Sequence, residues 1–328
     1  MKSKNLTVIT TINIRPDPHP LDFDWRFEPE TLRDLINLIP STGDVLSIGV
    51  PSVINEIQSR KQRVLLVDRH PIQNATEHLM LDPGVEEALN KEFTSILVDS
   101  PWYPEEFKRW INWGAQALND DGVIYASIWP DETRPNAVQE KLNIFNWLKN
   151  WAEFEVIPNF FRYTTPNFEV QSLRSQNSHT SPKLDWRTGD LLIIRPKLKQ
   201  SLLDPIIKRS LWHRFIVNNY QLAVKVSKED CVYPRVFTHE SSNEWFWTSV
   251  SKRASGRDEI GLWSSENEVA RTMGSKKILE VLRAHFGFTD ENLHNVDSEE
   301  ITSVLSTLEA WALPKKPFKR VLEWQHQD

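Results

Sequence analysis

Three short, mostly apolar runs, at 45–48, 64–67 and 95–98, end at Gly49, Asp68 and Asp99, and segments with helical spacing follow the first and third. Such runs do not alternate, so they suit strands buried on both faces, which is the habit of parallel sheets; parallel strands in turn need crossover connections, usually helices. The chain is therefore expected to build an α/β fold around an open parallel sheet. After the first run, Pro51 and Ser52 open an amphipathic helix through Val53, Ile54 and Ile57. After the third, Phe107, Trp110, Ile111, Gly114 and Leu118 mark a crossover helix. Asp121-Gly122 reads as a turn before a fourth run at 123–129. A helix over 137–151 then shows Val138, Leu142, Phe145, Leu148 and Ala152 on one face. Two antiparallel-leaning strands, 154–163 and 191–194, close the unit, and the polar connection at 164–189 is long enough to be a substrate loop.

Ligands of open parallel sheets bind at the carboxyl ends of the strands, and there the third run gives way to Asp99-Ser100-Pro101-Trp102-Tyr103. An exocyclic amine on a purine or pyrimidine is a poor nucleophile because its lone pair is delocalised into the ring. A carboxylate and a backbone carbonyl accepting its two N–H bonds draw it toward tetrahedral geometry, a task for Asp99 and the carbonyl of Ser100. Pro101 stiffens the loop and removes a competing donor, and Trp102 or Tyr103 offers a stacking face worth roughly 1–3 kcal/mol per base. The same residues also suit a strand whose terminal acid caps the next helix.

The motif resembles the D-P-P-[YFW] signature of the S-adenosylmethionine-dependent amino-methyltransferases of the adenine-N6 and cytosine-N4 type, with Ser100 where that family has its first proline. The order of the 45–48 strand, Gly49, helix, second strand and Asp68 is similar to the first two motifs of class I methyltransferases, with one glycine in place of two or three. The resemblance spans residues 42–196 and implies a Rossmann-like sheet and S-adenosylmethionine as cofactor. It implies that Gly49 lets the cofactor approach and that Asp68 holds its ribose hydroxyls. It also implies a leading helix over the cofactor, carrying Leu32, Leu35, Ile36 and Leu38 and preceded by Asp24, Trp25 and Arg26, of which Asp24 and Trp25 are expected to line the cofactor edge. Trp25 and Phe27 also suit a hydrophobic staple on that helix. His70, close behind Asp68 at a strand end, suits either a place lining the cofactor pocket or a plain loop histidine, the second being the expected reading.

At 328 residues, 39% hydrophobic and 26% charged, the chain suits two globular domains. The expected division is an N-terminal segment at 1–41, a methyltransferase domain at 42–198 and an accessory or recognition domain at 199–328. No apolar stretch has the roughly 18–20 residues that span a bilayer, and the N-terminus lacks a signal-peptide core, so a cytoplasmic protein without membrane contact is expected. Cys231 is the single cysteine, which excludes an internal disulfide and zinc sites built on several thiolates. No two of the nine histidines stand four residues apart, so no helical zinc site, and no metal, is expected.

Residues 198–328 carry 18 Lys+Arg against 18 Asp+Glu, so the formal −6 lies in the first 197 residues. Neither part has the broad basic field of a protein that grips duplex DNA alone. Helices expected over 266–286 and 301–313, with basic clusters at Lys252, Arg253 and Arg257 and at Lys315, Lys316, Lys319 and Arg320, suit a mainly helical recognition module or a protein-interaction domain. Fourteen tryptophans are present. Trp110, Trp113, Trp147 and Trp151 fall on core faces of helices, and Trp245 and Trp247 share one face of any strand they form. The expected function is methyl transfer from S-adenosylmethionine to an exocyclic amine of a nucleic-acid base, adenine-N6-like, with weak nucleic-acid binding by the chain alone. The alternative is an inactive pseudo-methyltransferase that serves as a binding or scaffold subunit.

Overall fold

The computed structural model describes residues 16–22, 24–70, 72, 77–83, 88–89, 93–176, 187–198, 203–204, 211–226, 234–237, 255–288, 298–311, 313–314 and 318–327. Contacts within the chain divide it into two units interleaved in sequence. One takes 1–15, 25–165 and 185–206; the other takes 16–24, 166–184 and 207–328. A simple division at 41/42 and 198/199 was expected, whereas residues 16–24 and 166–184 group with the second unit.

The first unit runs β1 (Arg26–Phe27), α1 (Pro29–Leu38), β2 (Val45–Ile48), α2 (Ile54–Ser59), β3 (Val64–Asp68), β4 (His78–Met80), β5 (Phe93–Val98), α3 (Pro104–Gln116), β6 (Leu118–Ile128), α4 (Ala137–Lys149), β7 (Ala152–Thr164) and, past the α5 segment of the second unit, β8 (Thr188–Pro196). Its eight-stranded sheet has the order β1-β7-β8-β6-β5-β2-β3-β4. β4, β3, β2, β5 and β6 are parallel, and β8 lies antiparallel between β6 and β7. This is a Rossmann-like α/β sheet, with its strand order reversing between β2 and β5 and an antiparallel pair closing one side.

Burial follows the apolar runs. Val45, Leu46 and Ile48 are wholly buried, as are Leu66 and Val67, and α3 seats Phe107 and Ile111 against the sheet. Each fully buried aliphatic or aromatic side chain contributes about 1.5–3 kcal/mol. Trp113 and Trp151 are buried as expected, while Trp110 and Trp147 are half-buried.

The first unit departs from expectation in two places. Asp121-Gly122 does not precede a strand; β6 passes through it, and its pairing with β5 shifts register between Phe93 and Ser95 to absorb the extra residues. On α4 the buried face is Ala137, Lys141, Ile144 and Leu148, whereas Val138 and Leu142 are about half exposed. Lys141 can face inward because Asp190 and Asp131 meet its ammonium at 2.8 and 2.6 Å. Burial disfavours that charge, and the two aspartates more than offset it, leaving its pKa raised.

The second unit contains α5 (Asn167–Gln176), β9 (Leu211–Val217), β10 (Tyr220–Val226), β11 (Arg235–Phe237), β12 (Leu262–Ser264), β13 (Val269–Met273), α6 (Ser275–Phe286), α7 (Ser298–Trp311) and β14 (Val321–Gln327). The long polar connection thus holds a helix, where a structureless loop was expected. The unit is also not mainly helical: six strands form one sheet, ordered β11-β13-β12-β10-β9-β14. The helix expected over 266–286 begins only at Ser275, since Gly274 sits at φ 64 and residues 269–273 pair with β12 and β11. Phe215, Leu222, Val224, Ile278, Leu282 and Leu308 form its core. Arg257 is not part of a surface basic cluster; it is 9% exposed, with its guanidinium 4.9 Å from the Trp263 ring. Lys252, Arg253, Lys315, Lys316, Trp245, Trp247 and Cys231 lie outside the described residues.

Candidate active site

Ile48 pairs with both Val67 and Val98. The residues that follow these three, Gly49, Asp68 and Asp99, therefore emerge together at the carboxyl edge of three adjacent strands. The amide of Gly49 donates to the Val67 carbonyl at 2.9 Å, and that of Asp99 to the Ile48 carbonyl at 3.1 Å. This edge includes the β2/β5 reversal, where open α/β sheets form their ligand crevice.

Gly49 turns the chain at φ 68. A Cβ there would lie 2.8 Å from the Trp110 ring and 2.9 Å from the Asp99 carbonyl oxygen, so only glycine fits the turn without moving either. Asp68 accepts, on the same Oδ1, the His70 amide and the His70 ring Nδ1, each at 2.8 Å. Burial pushes this carboxyl up, but the His70 bonds overcome the burial and hold it below the ordinary carboxylate range. Asp68 is an anion fixed at the strand tip. His70 is therefore more than a loop histidine, because it orients that acid.

Asp99 stands at the end of a directed chain of hydrogen bonds. The Trp102 indole N–H donates to Ser127 Oγ at 3.2 Å, Ser127 Oγ and the Tyr163 hydroxyl are 2.5 Å apart, and the Tyr163 hydroxyl donates to Asp99 Oδ1 at 3.1 Å. Tyr163 has one proton and gives it to Asp99, so Ser127 donates to Tyr163. Bonds aligned in this way polarise one another. Burial and the Asp99 charge raise the Tyr163 pKa well above its ordinary value, which keeps the phenol a donor. Asp99 does not cap the next helix: α3 starts at Pro104 with Tyr103 at the N-cap position.

Trp102 is 7% exposed and meets Tyr163 edge to face at 5.7 Å. The guanidinium carbon of Arg187 lies 4.1 Å from the Trp102 ring, 4.5 Å from the Trp25 ring and 5.7 Å from Tyr163. Gly189 leaves room for this cluster, since a Cβ on it would meet the Trp102 ring at 3.0 Å. Ser100 is buried, its hydroxyl turned to the Pro101 carbonyl at 3.4 Å, and Tyr103 is half-buried.

The first unit thus brings Gly49, Asp68, Asp99, Ser100, Pro101, Trp102, Tyr103 and Trp25 onto one polypeptide framework, while Asp24 groups with the second unit. Sequence reasoning missed Ser127, Tyr163, Gly189 and Arg187. A serine near the end of an otherwise apolar strand was the available signal for Ser127. For Tyr163 the signal was a tyrosine closing β7; Arg187 gave none. Among the described residues no group of three or more His, Cys, Asp or Glu side chains could hold a metal, and no helix is long and apolar enough to cross a membrane.

No family model and no curated protein matches the chain. Solved structures do. The branched-chain polyamine synthase of Thermus thermophilus, in complex with N4-aminopropylspermidine and 5'-methylthioadenosine, is 14% identical at a TM-score of 0.49, covering 60% of this chain and 64% of that one. The chain therefore spans less than two thirds of that enzyme's length. The O-methyltransferase of a trans-AT polyketide synthase multienzyme of Brevibacillus brevis, in complex with S-adenosyl-L-homocysteine, is 13% identical at 0.36, covering 52% and 72%. A TehB-like S-adenosylmethionine-dependent methyltransferase of Corynebacterium glutamicum is 11% identical at 0.34, covering 51% and 87%.

Proposed function

We propose that this chain is an S-adenosylmethionine-dependent methyltransferase acting on an exocyclic amine of a nucleic-acid base, adenine-N6-like. The observation that carries the reading is Asp99: a carboxylate at the tip of β5, beside the β2/β5 reversal, fixed by the Tyr163 hydroxyl. Asp68 and the Gly49 turn suit the cofactor, since an anion held ionised at the neighbouring strand tip accepts ribose hydroxyls. With His70 on Oδ1, Oδ2 is the oxygen for that task. When bound, S-adenosylmethionine would supply an electrophilic methyl group and leave as a neutral thioether once its C–S bond is exchanged for the new N–C bond, and the proton shed by the amine would pass to solvent.

The protein's part is positioning. Asp99 accepts one amine N–H, the carbonyl of Ser100 accepts the other, and Trp102 or Tyr103 stacks on the ring. The bond from Tyr163 holds Asp99 in one rotamer, so orientation is set before the acceptor arrives. Pro101 keeps the loop from offering a donor to the amine. The full chain, incubated with methyl-labelled S-adenosylmethionine and either mixed DNA and RNA or free nucleosides, tests the reading. Label on an exocyclic nitrogen that disappears in Asp99→Asn is expected; label on carbon or oxygen, or transfer unchanged by Asp99→Asn, would overturn it.

A further inference from the structure

Arg187 lies on the ring of Trp102, one of the two aromatics assigned to stack on the proposed acceptor. Its guanidinium is flat, about as thick as a base, and lies within 4.5 Å of two indole rings, Trp25 and Trp102, with the third aromatic, Tyr163, at 5.7 Å. Those distances are those of cation–π contacts. Tyr163 links the cluster to the reacting end, because it touches Asp99 through its hydroxyl.

We propose that Arg187 is a built-in occupant of the acceptor slot, and that a flat acceptor reaches the Trp102 face by replacing the guanidinium. The proposal rests on the methyltransferase reading above for the acceptor's identity, though not for the displacement itself. Two physical arguments support it. One ring face accommodates one stacked group, so a base cannot lie on that part of Trp102 while the guanidinium does. The amine nitrogen also gains positive charge as it attacks the methyl group of a sulfonium, and a guanidinium against the same ring repels that charge. A cation on the Trp102 ring therefore opposes the step that Asp99 assists. Once displaced, the guanidinium no longer opposes transfer. The device also confers selectivity, because an acceptor too small or too flexible to stack on indole gains little by displacing a planar cation.

The test uses the full chain, Arg187→Ala and Arg187→Gln, with adenosine as the probe in equilibrium dialysis and thermal melting as the fold control. Arg187→Gln keeps a planar polar group without the charge and carries the experiment if the alanine variant does not fold. At least tenfold tighter adenosine binding in the folded variants is expected. Equal or weaker adenosine binding in both overturns the proposal. So does a loss of affinity confined to adenosine 5'-monophosphate, which would make Arg187 a phosphate anchor. Titration of S-adenosylhomocysteine into the same samples separates the two claims. Tighter adenosine binding without cofactor binding keeps the displacement and removes the methyltransferase; cofactor binding without the adenosine gain does the reverse.

Discussion

The Tyr163 hydroxyl donates to Asp99 Oδ1 at 3.1 Å, across 64 residues of sequence. This joins the end of β7 to the end of β5 and fixes the direction of the whole Trp102-Ser127-Tyr163-Asp99 chain.

Tyr163→Phe removes the last donor of that chain while keeping the ring against Phe27 and Trp102. A hydrogen bond to a charged group contributes roughly 1.5–3 kcal/mol. The variant is expected to lose a stability of that order in urea unfolding and to lose methyl transfer by more than its folded fraction explains. Unchanged transfer would mean that Tyr163 does not orient Asp99.

Gly49→Ala combines a positive φ with contacts of 2.8 and 2.9 Å to Trp110 and the Asp99 carbonyl. The left-handed conformation costs about 1–2 kcal/mol for a residue with a Cβ, and overpacking adds about 1–3 kcal/mol. A urea midpoint shifted by less than about 0.5 kcal/mol equivalent, the range of neutral surface substitutions, would contradict the tight approach of β2 to Asp99.

Acid should destabilise the protein in two stages. Burial lowers the pKa of His78, and the Asp68 charge only partly opposes it; burial likewise lowers that of His213. The unfolded histidines therefore take up protons first as pH falls through their ordinary value of about 6.5, and stability falls with it. The depressed Asp68 carboxyl contributes stability above its unfolded value of about 3.9, which is lost as pH falls through its lower folded value. Urea midpoints should drop between pH 7.5 and 5.5, and less so in His78→Gln, which keeps a donor for the Asp68 carbonyl that His78 meets at 3.2 Å. An equal drop in both proteins would show that His78 is not buried neutral.

The parallel core was legible because its strands are short aliphatic runs ending at Gly49, Asp68 and Asp99, a pattern set by burial on both faces. What depended on long-range pairing was not. Lys141 reads as a surface residue until Asp131 and Asp190 are brought to it, so Val138 and Leu142 were expected inside in its place, while Leu148 is buried as expected. Residues 269–273 have helical spacing, yet neighbouring strands claim them and Gly274 ends the pattern. Arg187 belongs to a polar stretch, and only the fold brings the Trp25 and Trp102 rings within 4.5 Å of its guanidinium.

Calorimetric titration of S-adenosylhomocysteine into the full chain and into Asp68→Ala tests the methyltransferase reading most directly. Hydrogen bonds to a charged acceptor contribute roughly 1.5–3 kcal/mol, so saturable one-site binding weakened at least tenfold by the substitution, titrated at a temperature where both proteins are folded, is the expected result. No binding by the unmutated chain at millimolar ligand, or equal affinity in Asp68→Ala, would contradict it.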